Sequence, residues 1–156
     1  MTRWWQGTIA GIAPLFASTA SAHHSTALVY DRGGALIEAE GVITDVAWVN
    51  PHVRFKMRGA GSDGVERLWD IESNSVSIVS RFGLTAVLVA AATRVKVEGT
   101  GGRSADNVLW LTNMMLPNGQ EILFGAAIEP RWSQQTIGGD IRSAVTADTQ
   151  NLGLFR

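Results

Sequence analysis

Between Leu36 and Phe124 the chain reads as short runs of alternating apolar and polar residues, and this two-residue period gives way to helical spacing between Asn74 and Phe82. Leu36 to Val49 forms the first run, rich in β-branched and aromatic residues at Val42, Thr44, Val46 and Trp48, with Gly41 expected to mark a bulge or bend. Asn50-Pro51 ends it, because proline has no N–H for a ladder and restricts the residue before it. In the second run, Val53, Phe55 and Met57 alternate with Arg54, Lys56 and Arg58, which predicts a strand with one buried and one wet face. Gly59 to Gly64 reads as a turn, and Glu66 to Glu72 as the third strand.

Asn74 to Phe82 then places Val76, Val79 and Phe82 at helical spacing; Ser73 or Asn74 is the expected cap, and Gly83 the expected end. Thr85 to Thr93 is apolar without a decisive period and reads as mostly helical or irregular. Arg94 to Gly99 and Val108 to Leu116 are the fourth and fifth strands, separated by a turn at Gly101-Gly102. Pro117-Asn118-Gly119 leads to a short last strand, Glu121 to Phe124. Three strands, a helix and two strands make an all-β domain with one short helix, in the order of a small five-stranded OB-like barrel whose helix plugs one end. An open antiparallel sheet with the helix on one face fits the same order.

The ends of the chain have a different character. Residues 1–22 carry Arg3, an apolar stretch from about Trp4 to Phe16 and small residues from Ser18 to Ala22, the pattern of a secretory signal peptide. Ala20-Ser21-Ala22 places the cut after Ala22, making His23 the new first residue, with a cut after Ala20 as the competitor. The apolar stretch, interrupted by Gln6, Gly11 and Pro14, is shorter than the roughly 20 residues of a membrane span, so no permanent anchor is expected. The expected organisation is therefore a leader over 1–22, a mature N-terminal segment over 23–35, the barrel domain over 36–129, and a polar, mobile or surface-wrapping tail over 130–156 docked by Trp132 or the Leu152, Leu154 and Phe155 cluster. Periplasmic or secreted localisation follows from the leader.

Composition narrows the chemistry. With 156 residues, one compact domain is the default. Thirteen Lys and Arg residues against 14 Asp and Glu give a net charge of −1, which supplies no basic surface for a nucleic-acid partner. The chain has no cysteine, which removes disulfides, thiolate nucleophiles and thiolate metal sites.

His23-His24-Ser25 after the leader, Asp31, Gly41-Val42-Ile43 and Trp48-Val49-Asn50-Pro51-His52 together resemble an uncharacterised family of small exported bacterial proteins, the domain family numbered 6152. The resemblance spans roughly residues 23 to 125. It implies export and a small β-rich domain, and no established activity.

All three histidines, His23, His24 and His52, fall in those motifs. A cut after Ala22 would give His23 a free amine beside its imidazole, a chelate that one more imidazole from His24 or His52 completes. Nitrogen donors favour Cu(II), so copper is the expected ion and zinc the lesser option. A cut after Ala20 would instead present Ser21-Ala22-His23, a different square-planar chelate. Met57, Met114 and Met115 are expected to pack in the core. The bland reading of His52 is a corner residue bonded to a backbone carbonyl.

Other constellations are weaker. Glu66, Asp70 and Glu72 read as a solvated strand face, and Arg54, Lys56 and Arg58 as its basic counterpart. The serines at 73, 75, 77 and 80 lack a nucleophile-elbow context, and Gly99 to Gly102 lacks the lysine of a phosphate loop. Trp48, Trp69 and Trp110 are expected in the core, with one or two free to line a groove. The leading expectation is thus a small exported metal-binding protein. The alternative is a non-catalytic envelope interaction module that holds a protein or glycan partner in the barrel groove or through its tail. Catalysis ranks third, since no acid, base or nucleophile set is apparent.

Overall fold

The computed structural model describes residues 26–139, so the leader, His23, His24 and the tail beyond 139 lie outside the described residues. The chain order is α1 (Thr26–Val29), β1 (Leu36–Ala47), β2 (Arg54–Gly61), β3 (Glu66–Glu72), α2 (Val76–Arg81), a 3-10 turn (Ala86–Leu88), β4 (Arg94–Gly101), β5 (Val108–Met115), β6 (Glu121–Leu123) and β7 (Thr136–Gly138). β1, β2 and β3 form an antiparallel meander, β4 pairs with the other edge of β1, and β5 pairs antiparallel with β4. β5 also runs parallel to β3, with Asp70 opposite Val108, Ile71 opposite Leu109 and Glu72 opposite Trp110. That last pairing closes β1-β2-β3-β5-β4 into a five-stranded barrel with the helix between the third and fourth strands. The OB-like reading holds, and the open sheet is excluded by the closure.

Alternation supplies the core. Val53, Phe55 and Met57 point inward with no solvent exposure, against Ile43, Trp69, Ile71, Val97, Leu109, Leu111 and Met114. Each fully buried side chain of this size contributes about 1.5–3 kcal/mol of transfer free energy. The Trp69 indole N–H donates to the Gly59 carbonyl at 3.1 Å, so its one polar atom is satisfied inside the barrel. Val79 of α2, with Leu84 and Val89 after it, closes one end. No helix among the described residues is long and apolar enough to cross a membrane.

Three local expectations are corrected. Gly59 does not open a turn: β2 runs on to Gly61, with Gly59 directly opposite Gly41. A Cβ on either glycine would strike backbone of the partner strand, so both are ladder positions where two chains approach too closely for a side chain. The bulge in β1 falls between Ile43 and Asp45, and not at Gly41. The helix cap is neither Ser73 nor Asn74. Ser75 occupies the N-cap without a side-chain bond, and Asn50, reaching across from the β1–β2 corner, accepts the Val76 N–H at 3.2 Å. Asn74 instead donates to the Phe124 carbonyl at 2.7 Å. The Asn50-Pro51 peptide in that corner is cis.

The polar stretch after Pro130 wraps the surface as far as it is described: β7 adds in parallel to β6, and the Glu121 N–H donates to the Gln135 carbonyl.

Gly59→Ala is expected to lower stability by about 1–3 kcal/mol through overpacking against Glu40 and Gly41. Gly33→Ala, where nothing lies within 4 Å of an added Cβ, should change stability by less than about 0.5 kcal/mol. Urea midpoints of the two variants check the contrast.

Candidate functional site

The parallel joint between β3 and β5 decides what stands on the outer surface beside it. Ile71 and Leu109 are opposite one another in the core, so their successors, Glu72 and Trp110, are paired on the outside. Arg54 of β2 faces Glu72 from the other side. Arg54, Glu72 and Trp110 therefore form a row across three strands, and the β1–β2 corner hangs His52 over it.

The His52 ring meets the Trp110 indole edge-on, with centroids 5.2 Å apart and planes at 88°. Its Nδ1 lies 3.3 Å from Glu72 Oε2, while Arg54 Nε holds the other carboxylate oxygen at 3.0 Å. His52 and Glu72 are both about one-fifth exposed. The histidine thus bonds a carboxylate, and not the backbone carbonyl of the bland reading. A carboxylate at Nδ1 selects the tautomer in which Nδ1 carries the proton and Nε2 offers its lone pair.

A second chain segment reaches the same place. Tyr30 is 1% exposed, and its ring packs on Trp110 at 5.4 Å, tilted by 60°. Asp31 N–H donates to the Gly101 carbonyl, Arg103 N–H donates to the Val29 carbonyl, and Arg103 pairs with Asp31 at 3.3 Å. This staples residues 29–31 to the β4–β5 connection. Burial pushes the Tyr30 phenol well above its usual range, and the negative charge of Glu72 pushes the same way, with Asp70 adding and Arg54 opposing. The phenol stays protonated. Arg32 closes the outer side, its guanidinium 5.7 Å from the Trp110 ring centre.

Magnitudes separate the roles in this cluster. Partly exposed ion pairs such as His52–Glu72 are worth about 0–1 kcal/mol, whereas burying a ring of tyrosine size is worth several times that. Aromatic packing holds the segment before β1 in place; the carboxylate chiefly orients.

Of the three histidines singled out by sequence, His52 is in this cluster, and His23 and His24 precede the described residues. Among the described residues, no three His, Asp or Glu side chains converge as a metal-binding group. Met57 and Met114 are in the core and Met115 is partly buried. Lys56 pairs with Asp70 at 3.3 Å and Arg54 with Glu72 at 3.0 Å, so two of the basic residues of β2 are matched by acids of β3. Sequence reasoning missed Tyr30 and undervalued Glu72 and Trp110. The available signal was that Tyr30, the lone tyrosine, lies in the short segment just after the histidine pair.

Residues 13–108 match a protein-family model described as "Family of unknown function (DUF6152)". The chain belongs to this family. The matched span includes Tyr30, His52 and Glu72 and ends where β5 begins, two residues before Trp110. No curated protein and no solved structure matched the chain.

Tyr30→Ala is expected to lower stability by about 3 kcal/mol through a lost buried ring, and His52→Ala by less than about 1 kcal/mol. Denaturant unfolding of both variants checks this ordering.

Proposed function

We propose that this member of the family is an exported metal-binding protein, with copper preferred over zinc, in which His52 supplies one imidazole and the processed chain start supplies the rest. Removal of the leader after Ala22 would free the His23 amine beside its imidazole, with His24 as the other candidate donor. The observation that carries this reading is the shared Trp110 ring, on which His52 and Tyr30 both pack. Residues 23 to 25 extend up to about 10 Å, comparable with the two ring contacts between Tyr30 and His52. A helical turn over Thr26–Val29 adds about 6 Å of rise. The short spacing between the chain start and the Tyr30 anchor supports a meeting of the processed start with the imidazole.

The Glu72 contact supports the same reading. A carboxylate on one ring nitrogen fixes the tautomer and leaves the other nitrogen for a metal, an arrangement that typically changes affinity 10–100-fold when broken. A neutral imidazole with an amine suits Cu(II) better than hard cations.

One observation favours a second reading, a non-catalytic module that binds an envelope protein or glycan. The cluster lies between the β1–β2 and β4–β5 connections, the face on which OB-type barrels take extended ligands, and Trp110 is a partly exposed aromatic there.

Copper titration separates the two. The processed protein, its first residue established by mass spectrometry, is titrated with Cu(II) beside His52→Ala, Glu72→Ala and a version bearing one extra N-terminal residue. The His52 and extra-residue variants should each bind at least about 10-fold more weakly, and Glu72→Ala about 10–100-fold more weakly. Equal weak binding by all four would overturn the metal reading and leave the interaction module.

A further inference from the structure

Where β5 meets β6, one carboxylate carries an unusual load. Glu121 has no solvent exposure. Its Oε1 accepts from Asn113 Nδ2 at 2.7 Å and from the Arg131 N–H at 2.9 Å. Its Oε2 accepts from the Arg131, Trp132 and Ser133 N–H groups at 3.1, 2.9 and 2.9 Å. Three consecutive backbone donors thus close around a side chain of β6. Asn113 also donates to the Glu129 carbonyl at 2.9 Å, and Ser133 Oγ to the Gly119 carbonyl at 2.7 Å.

Beyond these bonds, residues 129–139 are held by the short parallel pairing of β7 with β6, three residues on each strand, and by a few single contacts. Ile137 packs against the core from its edge, Lys96 sits 4.7 Å from the Trp132 ring centre, and Arg131 Nε pairs with Glu98 Oε2 at 2.9 Å. At the far end Gly138, at φ 89°, passes so close to Leu123 that a Cβ would collide with the Leu123 carbonyl oxygen. The closed barrel takes no strand from this segment, since its five strands end with β5.

We infer that residues 129–139 are a strap latched to the barrel by the single carboxylate of Glu121, and that the strap lifts as a unit, leaving the barrel closed, when the latch is lost. Lifting it bares Glu98, Asn113 and Glu121, which are at most 2% exposed when it is down.

The charged neighbours set the direction in which acid acts. Burial pushes the Glu121 carboxyl up, but the Asn113 bond and the Trp132, Arg131 and Ser133 amides outweigh it, so the group is held below its usual range. An acid lowered on folding contributes stability above its unfolded pKa and loses it as pH falls through the folded value. Glu98 on β4 behaves in the opposite sense. Burial raises it, Arg131 opposes, and Glu38 and Glu121 add to the rise. Glu38 on β1 is lowered chiefly by its bond with Lys96. On acidification Glu98 takes its proton first and gives up the Arg131 pair, and the strap stays down. It lifts only when Glu121 is neutralised, below the ordinary carboxylate range.

Amide hydrogen exchange on the full chain, corrected for intrinsic rates, tests this. At neutral pH, Glu121→Gln and Glu121→Ala should speed exchange at Arg131, Trp132 and Ser133 by about ten-fold or more, with Phe55 and Leu109 unchanged. Gly138→Ala should speed the same three amides from the other end, and Glu98→Gln should leave them protected. Unchanged strap amides in the Glu121 variants would overturn the inference. So would loss of protection spread equally over strap and barrel in both Glu121→Ala and Gly138→Ala. If the Glu121 variants do not fold, the wild-type chain titrated toward low pH gives the same decision: strap amides opening before barrel amides support the latch, and simultaneous opening refutes it.

Discussion

The parallel contact of β3 with β5 is the interaction on which the rest depends. Without it the strands would be an open sheet with two long edges, and the residues at the joint would have no common neighbour. With it, Ile71 and Leu109 meet inside, and the two-residue period of a strand forces Glu72 and Trp110 together outside. A slip of one position would carry a glutamate into the core and an isoleucine into water, so the hydrophobic register that stabilises the barrel also fixes the pairing at the candidate site. The pairing of Glu72 with Trp110 is a by-product of core packing.

Much of this architecture was legible in the residues. The alternation from Val53 to Arg58, the single change of period near Asn74 and the element order favoured an OB-like barrel over an open sheet, because these signals are local, while closure itself rests on the non-local β3–β5 pairing. What escaped was non-local. Gly41 and Gly59 carry the composition of a bend and a turn, yet their reason is mutual approach across the β1–β2 ladder, visible only once the two strands are paired. Asn50 caps a helix 26 residues away, so no local rule would nominate it over Ser73 or Asn74. For the site, His52 was identifiable as a chemically unusual residue, while Glu72 looked like one more acid on a wet strand. Its importance comes from a neighbour, Trp110, that only the parallel joint supplies. Residues 131–133 show no apolar period because their backbone N–H groups, and not an apolar stripe, fasten them to Glu121.

Glu72 and Glu121 show how burial changes the work of one functional group. Glu72 is partly exposed and shares its charge between Arg54 and His52, so water competes for it and its net contribution to stability is small. Glu121 is sealed from water. There an unpaired ion would be severely penalised, and five short contacts from Asn113 and three successive amides are what make the ionised form tolerable. The first arrangement is suited to presenting a neighbour to solvent, the second to fastening one piece of backbone onto another.

Asn50 ties the β1–β2 corner to the helix that plugs the barrel, and on the far side of His52 the Val53 N–H donates to the Asn74 carbonyl. His52 is therefore suspended between two anchored points. Fixing one residue's backbone takes about 1–2 kcal/mol of conformational entropy, and here that loss is incurred when the domain folds. Whatever approaches the imidazole meets a preorganised group, so association proceeds without the ordering penalty that an untethered histidine would impose.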